Sequence, residues 1–195
     1  MCGRYYVDEE MAGEIERLVR SLDKSIWPAR RRDVFPSQNA LILRSRGEGL
    51  SAEQMRWGFP GYNDRGLLIN ARAESALERK TFRECIRSRR CVIPARGFYE
   101  WNREKEKFRF ERKTGGTLFL AGCFEEGKDR DCFVVLTTAA NPSVLPVHDR
   151  MPLVLEKQEI DDWLLDDRAA ETLLHKTPGL LKAKADYEQM RFPFV

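Results

Sequence analysis

The middle of this chain is a succession of short apolar runs, too brief for helices and separated by turn residues, and this pattern limits the possible folds most. Leu41 to Arg44, Met55 to Trp57, Leu67 to Asn70, Phe133 to Thr138 and Met151 to Leu155 read as strands. Cys91 to Trp101 reads as a strand, a break at Pro94, then a second strand. Phe108 and Phe110 alternate with charges, Gly115-Gly116 supplies a turn and Leu118 to Leu120 returns, so Phe108 to Phe124 is predicted to be a β-hairpin. Helical periodicity is confined to the flanks. Asp8 can cap a helix through about Leu22, with Met11, Ile15, Leu18, Val19 and Leu22 on one face. A second amphipathic helix is predicted from about Ser75 to Ser88, and helical segments near Trp163 to Leu165 and Ala169 to His175. Strands and helices do not alternate as βαβ units. The predicted class is therefore α+β, a single domain over residues 1–195 with a mostly antiparallel, barrel-like β core flanked by helices.

The 195 residues suffice to bury a core. No apolar run reaches membrane-spanning length and the N-terminus lacks a signal-peptide layout, so an intracellular protein without a membrane partner is expected. Five cysteines (Cys2, Cys85, Cys91, Cys123, Cys132) are an odd number with no CxxC pair, which argues against a disulfide framework and a structural zinc site. Cys123 and Cys132, in apolar strands, read as core thiols. The net charge of +3 requires no nucleic-acid partner. Its distribution is more pointed: Arg30, Arg31 and Arg32 form one run, and Arg83, Arg87, Arg89 and Arg90 another. Segregated charge of this kind can steer a phosphate backbone, and equally it can be a set of solvated helix and loop positions.

The chain starts Met1-Cys2-Gly3-Arg4. Loss of Met1 would leave Cys2 with a free α-amine and a thiol two carbons apart. Such an aminothiol condenses with an aldehyde to a Schiff base, and its thiol closes on the imine to give a thiazolidine. An α-amine with a pKa of about 7.7–8.0 is partly neutral at physiological pH, and cysteine is a strong nucleophile.

Four clusters put polar or aromatic groups where a strand meets a turn: Arg56-Trp57-Gly58-Phe59-Pro60, Asn70-Ala71-Arg72-Ala73-Glu74, Gly97-Phe98-Tyr99-Glu100-Trp101 and Val147-His148-Asp149-Arg150-Met151-Pro152. With Met-Cys-Gly-Arg at the start and Ile93-Pro94-Ala95 before the third cluster, this ordered set resembles the SRAP family, the SOS-response-associated peptidases, understood as abasic-site-processing proteins. The resemblance runs from Cys2 to about Pro152. It implies a compact α+β domain, acting as a monomer, that binds single-stranded DNA and cross-links covalently to an abasic site, with neither metal nor organic cofactor.

Site roles follow from the resemblance residue by residue. Cys2 would be the nucleophile, Asn70 would orient its amine or the sugar, Glu100 would carry protons, and His148 would assist ring opening and contact a phosphate. Arg4 and Arg72 would be phosphate ligands. Trp57 and Trp101 would offer stacking surfaces, worth about 1–3 kcal/mol per base in single-strand binders. Pro36, Thr137 and Met151-Pro152 would shape the DNA channel, and Gly58 and Arg150 would belong to the DNA-binding set. His175 reads as a surface residue and Trp163 as core. The tail after Thr177 departs from the family, whose valine- and asparagine-containing strand motif is not found there. Two other classes remain open: a thiol hydrolase using the same Cys2 with His148 or the α-amine as base, able to remove its own Met1, and a noncatalytic single-strand-binding module.

Overall fold

The computed structural model describes residues 2–19, 30–47, 49–61, 65–127 and 130–185. β1 (Tyr5–Val7) leads through a short 3-10 turn into α1 (Ala12–Glu16), followed by β2 (Arg32–Val34), β3 (Asn39–Arg46) and β4 (Gly49–Trp57). Then come β5 (Phe59–Pro60), β6 (Leu67–Leu68), β7 (Asn70–Arg72), α2 (Lys80–Ser88), β8 (Arg90–Ala95) and β9 (Gly97–Trp101). The chain continues through β10 (Lys107–Arg112), β11 (Leu118–Glu125), β12 (Cys132–Ala139), β13 (Arg150–Pro152), β14 (Val154–Leu155), α3 (Ile160–Leu165), α4 (Asp167–Leu173) and β15 (Leu181–Ala185).

Two sheets carry the fold. One has five strands in the order β15-β10-β9-β1-β2, and the other has eight, running β13-β12-β4-β3-β8-β11-β14 with β7 paired beside β12. An added β11–β12 pairing curls the larger sheet onto itself, which accounts for the expected barrel-like character. It is not a strict barrel, because the second sheet packs beside it and strands hang off the ring. Pairing is antiparallel except where β12 meets β4 and β7.

The eight-stranded sheet is buried on both sides, which is why its strands read as near-continuous apolar runs. In β11, Phe119, Ala121 and Cys123 face one way, packing with Ile86, Trp163 and Leu164 of the helices. Leu118, Leu120 and Phe124 face the other way, packing with Tyr5, Phe98 and Phe110 of the five-stranded sheet. The order is helices, large sheet, small sheet.

Local predictions diverge in several places. Phe108 to Phe124 is not a hairpin. Its two strands form and Gly115 and Gly116 do adopt positive φ (77° and 84°), but β10 pairs with β9 and β15 while β11 pairs with β8, β12 and β14. The turn thus hands the chain from one sheet to the other. Both Cys91–Trp101 strands exist, yet the break falls at Arg96: β8 runs through Pro94, which pairs with Phe119 beyond the Leu43–Val92 register pair with β3. The divergent tail is a strand after all, with Leu181 to Ala185 pairing antiparallel to Arg112 to Phe108, and the Asn141 amide donates to the Pro178 and Gly179 carbonyls at 3.0 and 2.9 Å to seat it. The predicted first helix shrinks to a 3-10 turn plus α1, its far end lying outside the described residues, and α2 starts only at Lys80. Among the described residues, no helix is long and apolar enough to cross a membrane, and no acidic, histidine and cysteine cluster could hold a metal.

Candidate active site

Cys2 lies just ahead of β1 and is fully buried, 0% exposed. β1 runs antiparallel to β9 with Tyr5 opposite Phe98, and the Tyr99 N–H donates to the Arg4 carbonyl at 3.0 Å. That line carries Cys2 toward Glu100. Asn70, at the head of β7, is brought in by parallel pairing with Val135 of β12, and its Nδ2 donates to the Cys2 carbonyl at 2.9 Å. Its Oδ1 is buried with no hydrogen-bond partner, as is the Tyr5 hydroxyl. His148 sits in the loop between β12 and β13. Its Nδ1 accepts from the Arg150 N–H at 2.9 Å and lies 2.9 Å from Asp149 Oδ1.

The electrostatics tie these groups together. Burial, reinforced by the negative charge of Glu100, pushes the Cys2 thiol well above its ordinary pKa. Burial likewise raises the Glu100 carboxyl, while His148 acts to lower it. The four predicted catalytic residues therefore share one site. Beside it opens a cleft of about 670 Å³ whose walls include Trp101, Arg103, Leu145, His148 and Asp149. Trp101 and Leu145 are exposed there, at 37% and 59%.

The residues assigned to DNA divide. Trp101 and Arg72 are exposed, and Pro36 is half-buried. Trp57 is not a stacking surface: it is fully buried between Tyr5 and Phe133, at ring distances of 5.1 and 6.3 Å, and its Nε1 donates to the Ile69 carbonyl. Gly58 is also buried. Its φ of +114°, with the Leu67 and Ile69 side chains at 3.3 Å from any added Cβ, makes it a backbone requirement and not a channel wall. Thr137 is 0% exposed and receives the Arg150 guanidinium on its carbonyl at 2.7 Å. Arg150 is further held by both Glu74 oxygens at 2.7 and 2.9 Å, so it braces β13 against the turn after β7 and does not reach outward. Arg4 is half-buried, paired with Asp33 (Nε–Oδ2 2.8 Å) and lying over the Phe35 and Tyr99 rings at 4.7 and 5.1 Å.

Sequence reasoning passed over Asp33, Phe35 and Leu145. An exposed phenylalanine next to Pro36 was the one available signal, since a large apolar side chain in a polar loop is not a core residue. Of the arginine runs, Arg30, Arg31, Arg32, Arg83 and Arg87 are exposed and Arg90 is buried. Arg90 is buried and bound to Asp167 at 2.8 Å and to the Ile86 and Arg87 carbonyls, and Arg31 lies 4.0 Å over the Tyr6 ring.

The model of the SOS response associated peptidase (SRAP) family matches residues 1–192. The chain is 31% identical over 176 residues to the abasic site processing protein YedK of Escherichia coli (strain K12), covering 84% of this chain and 79% of that one. It is 33% identical over 181 residues to the abasic site processing protein YoqW of Bacillus subtilis (strain 168), covering 84% and 80%. A solved protein from Bacteroides thetaiotaomicron superposes with a TM-score of 0.81 at 22% identity over 96% of this chain and 93% of that one, a likeness of fold.

Proposed function

The chain belongs to the SRAP family, and on that premise we propose that it processes abasic sites in single-stranded DNA. In this reading Cys2, freed of Met1, captures the aldehyde of the ring-opened sugar. The observation that carries it is the hold on Cys2. Its carbonyl is fixed by the Asn70 amide while an unpartnered Asn70 oxygen and the raised Glu100 carboxyl stand beside it. A buried acceptor without a partner costs roughly 1–3 kcal/mol, and a ligand N–H or O–H would recover it.

The order of bond making follows from the pKa shifts. The Cys2 thiol is held protonated, so the neutral amine attacks first and forms a C–N bond to the aldehyde carbon. The resulting hydroxyl leaves as water, taking a proton for which a carboxylic acid of raised pKa is a suitable donor. The thiol then adds across the C=N bond. As sulfur bonds to the iminium carbon, the C=N π pair goes to nitrogen and the thiol proton returns to the Glu100 carboxylate, leaving a neutral thiazolidine, one water and Glu100 protonated again. His148, beside the cleft, serves ring opening and the neighbouring phosphate. Strand cleavage from the imine and release of the chain's own Met1 are further activities of the same groups. The acting unit is a monomer inside the cell, with exposed Trp101 and Arg72 receiving bases and phosphates.

Intact-mass measurement with and without an abasic single-stranded oligonucleotide tests this. The expected result is loss of Met1 and an adduct whose mass is that of protein plus DNA minus one water, stable to boiling in detergent. If Cys2→Ala forms the same heat-stable adduct without a reductant, the proposal is wrong. Met1 loss with no DNA adduct would favour the hydrolase instead.

A further inference from the structure

The outer face of the five-stranded sheet, turned away from the core, carries charge that the site around Cys2 does not use. Across β9, β10 and β15, Trp101 stands opposite Lys107, Tyr99 opposite Arg109, and Arg109 opposite Lys184. Residues directly opposite share a face. It is the outer one here, since Phe98 and Phe110, next to Tyr99 and Arg109 in their strands, lie wholly in the core. Lys182, opposite Glu111, belongs to the same face. The face begins at the cleft: Trp101 is one of the cleft walls, and Lys107 beside it holds its Nζ 4.4 Å over the Tyr99 ring.

The two halves of this face differ. Toward β2, Arg4 is closed in, paired with Asp33 and lying between the Phe35 and Tyr99 rings. Toward β15, the four cations Lys107, Arg109, Lys182 and Lys184 meet one acid, Glu111. Glu111 does not fully engage Arg109. Its Oε1 lies 3.1 Å from Arg109 Nε, yet it accepts the Tyr6 hydroxyl, and Arg109 Nε is left without a hydrogen bond. The turn between β9 and β10 adds Arg103 and Lys105 against Glu104 and Glu106, which balance. Lys182 and Lys184 are exposed on a strand that pairs through its main chain, so their side chains are spared for contact. The excess of positive charge therefore forms a stripe about 10 Å across, two strand spacings, starting at an exposed tryptophan. A cationic track joined to an aromatic platform is the arrangement that receives the phosphates and bases of a single strand.

We propose that this half of the face is the track of the DNA beyond the cleft: a single strand leaving over Trp101 crosses β10 and β15 with its phosphates on Lys107, Arg109, Lys184 and Lys182. The identity of the strand rests on the abasic-site reading. What the face adds is a direction, toward β15 and away from Phe35 and β2.

The test is acetylation of the full chain with and without an undamaged single-stranded oligonucleotide, read lysine by lysine by mass spectrometry. Lys107, Lys182 and Lys184 should be protected by the DNA, while Lys157, exposed in the turn before α3, should react equally in both. Lys182→Gln combined with Lys184→Gln should lower the salt slope of binding by about 1.4, two lost contacts at about 0.7 each on a single strand. Protection is measured on the wild-type chain, so it decides the matter even if the double variant does not fold. The inference fails if the three lysines are acetylated equally fast with DNA present. It fails also if poly-glutamate protects them as well as DNA does, the mark of an acidic protein partner. An abasic oligonucleotide gives the second readout: an adduct without lysine protection overturns the track alone, and protection without an adduct overturns the abasic-site reading alone.

Discussion

On the helical side of the eight-stranded sheet, large polar groups close on the protein itself. Arg90 spends its guanidinium on Asp167 and the carbonyls of Ile86 and Arg87, and Trp163 donates to the Cys91 carbonyl at 2.9 Å. On the other side, an equally buried cluster contains Cys2 and Tyr5, and there the Tyr5 hydroxyl and the Asn70 Oδ1 find nothing to bond. Both regions are closely packed; at the edge of the helical side the half-buried Arg89 leaves its Nε unpartnered, whereas the Cys2 side leaves two oxygens unmet beside Cys2 itself. A fold keeps an unmet acceptor at some cost in stability, so the difference separates a region built to hold the molecule together from one built to hold something else.

The largest effect that can break this contrast is at Cys2. Cys2→Ala should abolish the heat-stable DNA adduct while leaving the thermal melt close to wild type, read by gel and by calorimetry. Next comes Glu100→Gln, which should slow adduct formation by about 10²–10⁴-fold, the usual worth of general acid–base help. It should not destabilise the fold. Burial raises the Glu100 pKa, so above the unfolded value of about 4.3 and below the folded one the native chain holds a proton that the unfolded chain has lost. Stability accordingly falls as pH rises through that window, and Gln should remove the slope. Normal cross-linking by Glu100→Gln would make the carboxyl a mere rim residue.

Trp57→Ala should behave as a core truncation, costing about 3–5 kcal/mol in denaturant unfolding. Loss of DNA affinity with unchanged stability would return Trp57 to the binding surface. Trp101→Ala should weaken single-strand binding by about 1–3 kcal/mol at unchanged stability. Smallest is Arg72→Ala, expected to weaken binding uniformly across sequences and reduce the salt slope by about one, measured by titration at several ionic strengths.

The strands were legible because apolar runs report burial, whichever sheet a strand joins. Partners were not. Nothing local in Gly115-Gly116 distinguishes a hairpin from a passage between sheets, since that choice is made by β9 and β8 elsewhere in the chain. Cys2 stood out for its aminothiol, Asn70, Glu100 and His148 came from the resemblance to the SRAP family, and the fold brings the four into one neighbourhood. Trp57, Thr137 and Arg150 were misread for the converse reason: a residue type that can bind DNA can equally fill a core or brace a turn, and only burial and partners decide. Arg150 is committed by Glu74, 76 positions away in sequence, which no window reveals.

The edge strand β15 has a consequence for how its sequence can drift. Leu181 is its one buried residue, while Lys182, Ala183, Lys184 and Ala185 are exposed, so the segment is held to β10 by its main chain. Main-chain bonding is indifferent to side-chain identity, and a segment secured this way can be rewritten at most positions without losing its place. Two lysines on an outermost strand also discourage a neighbouring molecule from adding its own strand there, which keeps the sheet that carries Glu100 from polymerising.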